Sequence, residues 1–353
     1  GDWEPSTKKL PRGLSYIAKE ALKRKVDFGI WLEPEMVNPQ SELYQKHPDW
    51  IITQPKRTPI LGRHQEILDL TRPEVQAFEW QVIDKTLRPN PDISYVKWDC
   101  NRYITQPGSG YLQPAEQSHL WIDYNWALYR LMERFSKEFP NVMAMLCAGG
   151  SGRVDYGALP YFHSFWPSDN TDPLGRIKIQ WGFSHFFPAS TISAHVTRMG
   201  KRHLKLAIDV ALSGAFGIDL ALDKATAEER VQIADAVKLY KASIRPLVMQ
   251  GELYRLVSPY EHPMASLSYV STDKNDAVVY LYQIQDGSVP QVILGGLDAR
   301  KNYRVEEVGL PKGSTSRFPG HGKIFSGAEL MSTGIANPLN AQFESAILLL
   351  KTQ

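Results

Sequence analysis

Ser94-Tyr95-Val96-Lys97-Trp98-Asp99-Cys100-Asn101-Arg102 shows the pattern of the chain at its clearest. Its first six residues have the aromatic and β-branched content of a strand, and it runs out into a polar loop. Strand side chains alternate, so Tyr95, Lys97 and Asp99 share one face and Trp98 lies on the other. The pattern repeats in both directions. Upstream, residues 26–32 read as a buried strand stopped by Glu33-Pro34. A helix over 11–25 precedes it, with Leu14, Ile17, Ala18, Ala21 and Leu22 at helical spacing. Residues 67–70 read as a shorter strand, and Pro73 begins a helix to Leu87. Downstream, a helix over about 117–139 leads to a strand over 142–147 that ends in Gly149-Gly150-Ser151-Gly152. Residues 162–166 form a strand ending in Ser168-Asp169-Asn170. Residues 191–196 and 216–220 are weaker strands, and 227–243 an amphipathic helix.

This repetition predicts a parallel α/β architecture, a (β/α)8 TIM barrel. An open doubly wound sheet would gather its polar residues at one switch point, whereas here they follow many strands. Six βα units precede residue 250, and a closed barrel needs eight. After Gly251 the β-type runs 278–282, 291–294 and 346–350 are separated by turn residues, with Asp286-Gly287 as a hairpin signal. The expected organisation is an N-terminally incomplete catalytic barrel over 1–250 and a small antiparallel β-sandwich domain over 251–353. The runs of the second domain alternate like strands buried on one face.

Composition narrows the function. Lys and Arg total 40 against 38 Asp and Glu, a net charge of +2, which argues against a nucleic-acid partner. Apolar residues at 43% and charged residues at 22% describe a globular chain. No apolar run approaches the roughly 20 residues of a membrane helix. Two cysteines rule out a disulfide scaffold and a multi-Cys zinc site, and the nine histidines show no His-x-x-x-His spacing, so no metal or cofactor is expected. The glycine run at 149–152 lacks the Lys-Ser/Thr ending of a phosphate loop.

The chemistry lies in carboxylates at strand ends. Asp99 follows its strand with Lys97 on the same face, which favours the ionised form a nucleophile needs; an ion pair closing the strand reads equally well. In Trp166-Pro167-Ser168-Asp169-Asn170-Thr171-Asp172-Pro173, Asp172 precedes a proline and reads as a helix N-cap, with Arg176 four residues on as an ion-pair partner. Asp169 follows the strand directly and is the catalytic candidate. Such a pair is what glycoside hydrolysis requires on either side of one bond. Trp31 and Trp166 stand near strand ends, where indole faces pack on sugars; Trp98 is assigned to the core. Glu33 and Glu35 are rival carboxylates by position, with Pro34 pointing to a strand-terminating role. His195 reads as a core histidine.

Gly29-Ile30-Trp31-Leu32-Glu33-Pro34-Glu35-Met36-Val37, Lys97-Trp98-Asp99-Cys100-Asn101-Arg102, Cys147-Ala148-Gly149-Gly150-Ser151-Gly152-Arg153 and Trp166-Pro167-Ser168-Asp169-Asn170-Thr171-Asp172 together resemble glycoside hydrolase family 36, the bacterial-type α-galactosidases. The likeness covers nearly the whole chain. It implies a retaining exo-α-galactosidase working by double displacement. Asp99 matches the nucleophile after barrel strand four, and Asp169 the general acid/base after strand six. Trp31, Arg63, Lys97, Asn101, Cys147, Gly150 and Trp166 match sugar contacts. A close backbone at Cys147 and Gly150 leaves little room for an N-acetyl group, which favours galactose. Ser151 replaces a glycine of the family's run, Cys100 stands where members often have Met, and the run Gly62-Arg63-His64-Gln65 resembles a family Gly-Arg-Asn-Gln. The resemblance places an N-terminal β domain and barrel strands one and two ahead of this segment, leaving strands three to eight here. It implies a galactosyl oligosaccharide or glycoconjugate substrate, no nucleic acid or membrane partner, and a homo-oligomer such as a tetramer; for a soluble protein the bacterial cytoplasm and periplasm both stay open. An α-N-acetylgalactosaminidase, an α-galactosyl transglycosylase and a non-catalytic carbohydrate-binding fragment stay open.

Overall fold

The computed structural model describes residues 1–287 and 289–353, in two compact units, Gly1–Trp166 and Pro167–Gln353. The first unit runs α1 (Gly13–Lys23), β1 (Phe28–Leu32), β2 (Met36–Val37), α2 (Glu42–Lys46), β3 (Glu66–Ile67), α3 (Pro73–Leu87), β4 (Ile93–Trp98), α4 (Leu120–Glu138), β5 (Met143–Leu146) and β6 (Ser164–Phe165). Strands β1, β4, β5 and β6 pair in that order, all parallel. The register sets Leu32 beside Trp98 and Trp98 beside Leu146. Period two then sorts the residues. Trp98 is 1% exposed and lies edge-on to Phe135 of α4 and to Phe162. On the opposite face Tyr95 packs with Met145, Cys147 and Trp166.

The ladder continues one residue beyond the strands. The backbone N–H of Asp99 donates to Leu32 O (2.9 Å), that of Cys147 to Trp98 O (2.8 Å) and that of Trp166 to Leu146 O (3.0 Å). These residues therefore stand in one layer at the C-terminal edge of the sheet, held by sheet hydrogen bonds and not by loop packing alone.

The shorter strand expected at 67–70 takes a different form. Glu66 and Ile67 pair antiparallel with β2, outside the parallel sheet. The run stops because the Asp69 carboxylate accepts from the Thr71 N–H (3.1 Å), the Thr71 hydroxyl (2.6 Å) and the Ser109 hydroxyl (2.5 Å), a local turn that competes with strand pairing.

The second unit opens with α5 (Pro173–Phe183), β7 (Ser193–Val196), α6 (Leu204–Ala211), β8 (Ala215–Ile218), α7 (Ala227–Leu239) and α8 (Arg245–Gln250). Strands β7 and β8 are parallel. Thr226 and Glu229 cap α7 reciprocally (3.2 and 3.0 Å). The helix expected over 227–243 widens into a π turn at Tyr240–Ile244 before α8. Pro246 explains the break, since it lacks an N–H and its ring crowds the preceding turn.

Antiparallel strands follow: β9 (Glu252–Val257), β10 (Met264–Val270), β11 (Asp276–Gln283), β12 (Gln291–Val292), β13 (Asn302–Val308), β14 (Ile324–Ser326), then α9 (Gly327–Ser332), β15 (Ile335–Ala336) and β16 (Ser345–Thr352). The sheet order is β14-β13-β16-β11-β10-β9, with β12 and β15 as a separate ribbon. Asp286-Gly287 does not close a hairpin, because the strand after it pairs with β15. The alternation expected to leave one face in water is also overturned, for β10 and β11 are buried on both faces. Val278, Tyr280 and Tyr282 pack with residues of α6, α7 and α8, whereas Val279 and Leu281 pack with Val292, Leu330 and Ile335. Three tyrosines fasten the first of these faces. Tyr269, Tyr280 and Tyr282 donate to the carbonyls of Ser213 (2.7 Å), Leu212 (2.8 Å) and Asp209 (3.1 Å), which the end of α6 leaves without helical partners. Among the described residues no helix is long and apolar enough to cross a membrane.

Candidate active site

Asp99 is 3% exposed, yet its carboxylate is fully served. Trp31 Nε1–H donates to Oδ2 at 2.9 Å and the Cys100 N–H to Oδ1 at 2.9 Å. Lys97 Nζ stands 4.0 Å from Oδ2. Burial raises the pKa of Asp99, but hydrogen bonds from Trp31, Asn101, Cys147 and the Cys100 backbone outweigh burial and hold it below the ordinary aspartate value. The Cys147 thiol is pushed up to about 12, chiefly by burial, so it stays protonated and able to donate. Lys97 also lies over the Trp166 ring, 5.4 Å from its centre. Trp31 is 44% exposed, with one indole edge on the carboxylate and ring surface open to a ligand.

The loops around this carboxylate are tied together. Asn101 Oδ1 accepts from the Gly149 N–H at 3.2 Å, which joins the loop after β4 to the glycine run after β5. Gly149 and Gly150 have φ of 58° and 100°, so that run needs the left-handed conformations glycine allows. Gly62 and Gln65 exchange backbone hydrogen bonds (2.9 and 3.2 Å) across Arg63 and His64, whose φ values are 53° and 62°. That is the pattern of a type I′ turn built without glycine. Arg63 stands exposed at its tip. Arg102 braces the turn from below, donating to Ile60 O and pairing with Glu66 Oε2 at 3.2 Å.

Two carboxylates support the site without touching the Asp99 carboxylate. Glu33 Oε1 accepts from the Asn101 N–H (2.6 Å) and Oε2 from Gln65 Nε2 (2.8 Å). Glu35 accepts from Trp98 Nε1 (3.0 Å), Tyr124 Oη (2.6 Å) and Arg153 Nη1 (2.7 Å). The sequence showed both glutamates as possible catalysts. What they accept from lies 32 to 118 residues away, so their supporting role was not legible locally.

In the second unit Asp169 is exposed in the loop before α5. Arg176, 2% exposed, secures that loop by donating to Ser168 O (3.1 Å) and to Ser193 O of β7. Burial lowers its pKa to about 10. Asp172 occupies the N-cap position of α5, but its side chain caps nothing. It faces Arg202 at 3.5 Å in place of the expected Arg176, which donates to the carbonyls of Ser168 and Ser193 and to Gln180 Oε1. His195 of β7 is half-buried. Among the described residues no three His, Cys, Asp or Glu side chains converge as a metal site would require.

Residues 1–251 match the model of the Melibiase family, and residues 264–350 that of the glycosyl hydrolase family 36 C-terminal domain. The chain belongs to glycoside hydrolase family 36. The α-galactosidase AgaA of Geobacillus stearothermophilus is 39% identical over 347 residues, which cover 96% of this chain and 45% of AgaA. α-Galactosidase 2 of Hypocrea jecorina is 34% identical over 373 residues, covering all of this chain and 46% of that enzyme. The crystal structure of AgaB from Geobacillus stearothermophilus superposes with a TM-score of 0.92 at 38% identity, over 100% of this chain and 48% of AgaB. The chain thus spans about half the length of the family 36 relatives it matches, and shares their TIM-barrel and C-terminal-domain fold over that half.

Proposed function

We propose that this chain supplies barrel strands three to eight (residues 1–250) and the C-terminal β domain (251–353) of a retaining exo-α-galactosidase. The observation that carries the reading is Asp99: a buried carboxylate at a parallel-sheet edge, kept ionised by four hydrogen bonds, beside a half-open indole. In the first step an Asp99 oxygen attacks the anomeric carbon as its bond to the leaving oxygen breaks, and Asp169 gives that oxygen its proton. In the second, Asp169 takes a proton from water, the water oxygen attacks the same carbon, and the ester bond to Asp99 breaks. The reading requires the two carboxyl groups to flank one glycosidic bond. Trp31, Arg63, Lys97, Asn101, Cys147, Gly150 and Trp166 then contact the sugar, and the β domain contributes no catalytic group.

Raffinose and stachyose are bound in crystal structures of AgaA variants, and family membership at 39% identity supports galactosyl oligosaccharides of that type as substrates here. A homo-oligomer such as a tetramer fits the same reading. The test is proton NMR of the complete protein cleaving an aryl α-galactoside. α-Galactose as the first anomer formed supports double displacement, and β-galactose first would replace it with single inversion.

A further inference from the structure

Glu33 is 1% exposed and follows the strand that carries Trp31. Both of its oxygens are engaged, and their donors belong to two different loops. The Asn101 N–H on Oε1 belongs to the loop after β4 (2.6 Å), and Gln65 Nε2 on Oε2 belongs to the turn that presents Arg63 (2.8 Å). Asn101 in turn hydrogen-bonds Asp99 and receives the Gly149 N–H. Arg63 and His64 both hold left-handed backbone conformations without being glycine, and such conformations persist only where neighbours fix them. Three contacts do so: Gln65 on Glu33, Asn38 Nδ2 on His64 O (2.9 Å), and Arg102 on Ile60 O.

We infer that Glu33 is a positioning residue, yoking the Asn101 loop and the Arg63 turn into one register for the sugar. The functional half of this statement rests on the α-galactosidase reading; the structural half does not. The chemistry of the yoke is that of an acceptor. A carboxylate with two separate oxygens takes one backbone donor and one side-chain donor in a buried place, and leaving either donor unpaired there is costly. Gln65 Oε1 is buried with no hydrogen-bond donor among the described residues. In Glu33→Gln the new carbonyl can still accept from Asn101, and the new amide can donate to Gln65 Oε1 once that side chain flips. Glu33→Ala has neither option.

The experiment uses the complete protein with Glu33→Ala, Glu33→Gln, Gln65→Ala, Arg63→Ala and the Gln65/Arg63 double variant. Hydrogen–deuterium exchange is read in peptides covering 57–66 and 99–103. Glu33→Ala should speed exchange in both peptides, Gln65→Ala in the first alone, and Glu33→Gln in neither. With p-nitrophenyl α-galactoside, Glu33→Ala should raise KM and lower kcat, each about tenfold, and Glu33→Gln should recover both to within about threefold. Gln65→Ala should raise KM about fivefold with kcat little changed, and add less than about twofold once Arg63 is alanine. Unchanged exchange in Glu33→Ala, Glu33→Gln as impaired as Glu33→Ala, or a full Gln65→Ala effect in the Arg63→Ala background would each overturn the inference. If Glu33→Ala fails to fold, Gln65→Ala and the double variant still decide the Arg63 arm. The expected exchange pattern in a protein that cleaves no α-galactoside would uphold the yoke and remove the proposed function.

Discussion

Asp99 owes its ionised state to direct donors more than to the neighbouring ammonium. Trp31 Nε1–H sits at 2.9 Å and Lys97 Nζ at 4.0 Å. Because the folded pKa lies below the unfolded value, the ionised form persists as pH falls past the ordinary aspartate value of about 3.9. The acid limb of kcat/KM that belongs to Asp99 should therefore lie below that value. Trp31→Phe removes one donor, so the limb should move to higher pH and kcat/KM should fall by about tenfold or more, read from a pH–rate profile. His64 offers a stability test nearby. Asparagine tolerates left-handed φ better than histidine does, so His64→Asn should stabilise by about 0.5 kcal/mol in denaturant melts. At this scale the sequence was legible where a residue's task is set by its own strand. Lys97 and Asp99 share a face as alternation requires. Asp172 was read from its proline neighbour as a cap, and nothing local showed that Arg202 would claim its carboxylate.

Among the elements, α3 carries an oddity that the hydrophobic pattern did not reveal. Glu79 is fully buried, and neither carboxyl oxygen has a hydrogen-bond partner among the described residues. Burial pushes its pKa well up, Glu35 adds to this and Arg153 opposes it. A raised folded pKa makes the proton-bound form part of the fold. Stability from this group is then complete below the unfolded value of about 4.3 and is lost as pH rises toward the folded one. Glu79→Gln should therefore stabilise more at pH 8 than at pH 5, seen as a larger gain in denaturant midpoint at the higher pH. In the C-terminal sheet, Tyr280→Phe leaves Leu212 O without its donor and should cost about 1–2 kcal/mol by the same measurement. The run at 278–282 located β11 but not its second buried face, and β10 was not read from the sequence. A period of two says which residues share a face, and only the helices and ribbon packed on each side decide whether that face meets water.

For the whole molecule, strand–loop–helix repetition was enough to expect a barrel, because each parallel strand must be returned by a crossover and most crossovers here are written as helices, the turn-rich 147–163 between β5 and β6 excepted. The change of pattern near Gly251 was likewise visible, since turn residues and β-branched runs replace helical spacing. The yoke at Glu33 and the salt-bridged support at Glu35 were hidden, because they join loops distant in sequence. The proposed function gives Asp99 and Asp169 different offices in one double displacement. The anomer of the azide product tests it most directly. In the complete protein, Asp99→Ala with azide and an activated aryl α-galactoside should yield β-galactosyl azide, because azide takes the nucleophile's place. Asp169→Ala should yield α-galactosyl azide, because azide there intercepts the intermediate on Asp99. The same anomer from both variants, or the α-azide from Asp99→Ala, would contradict the assignment.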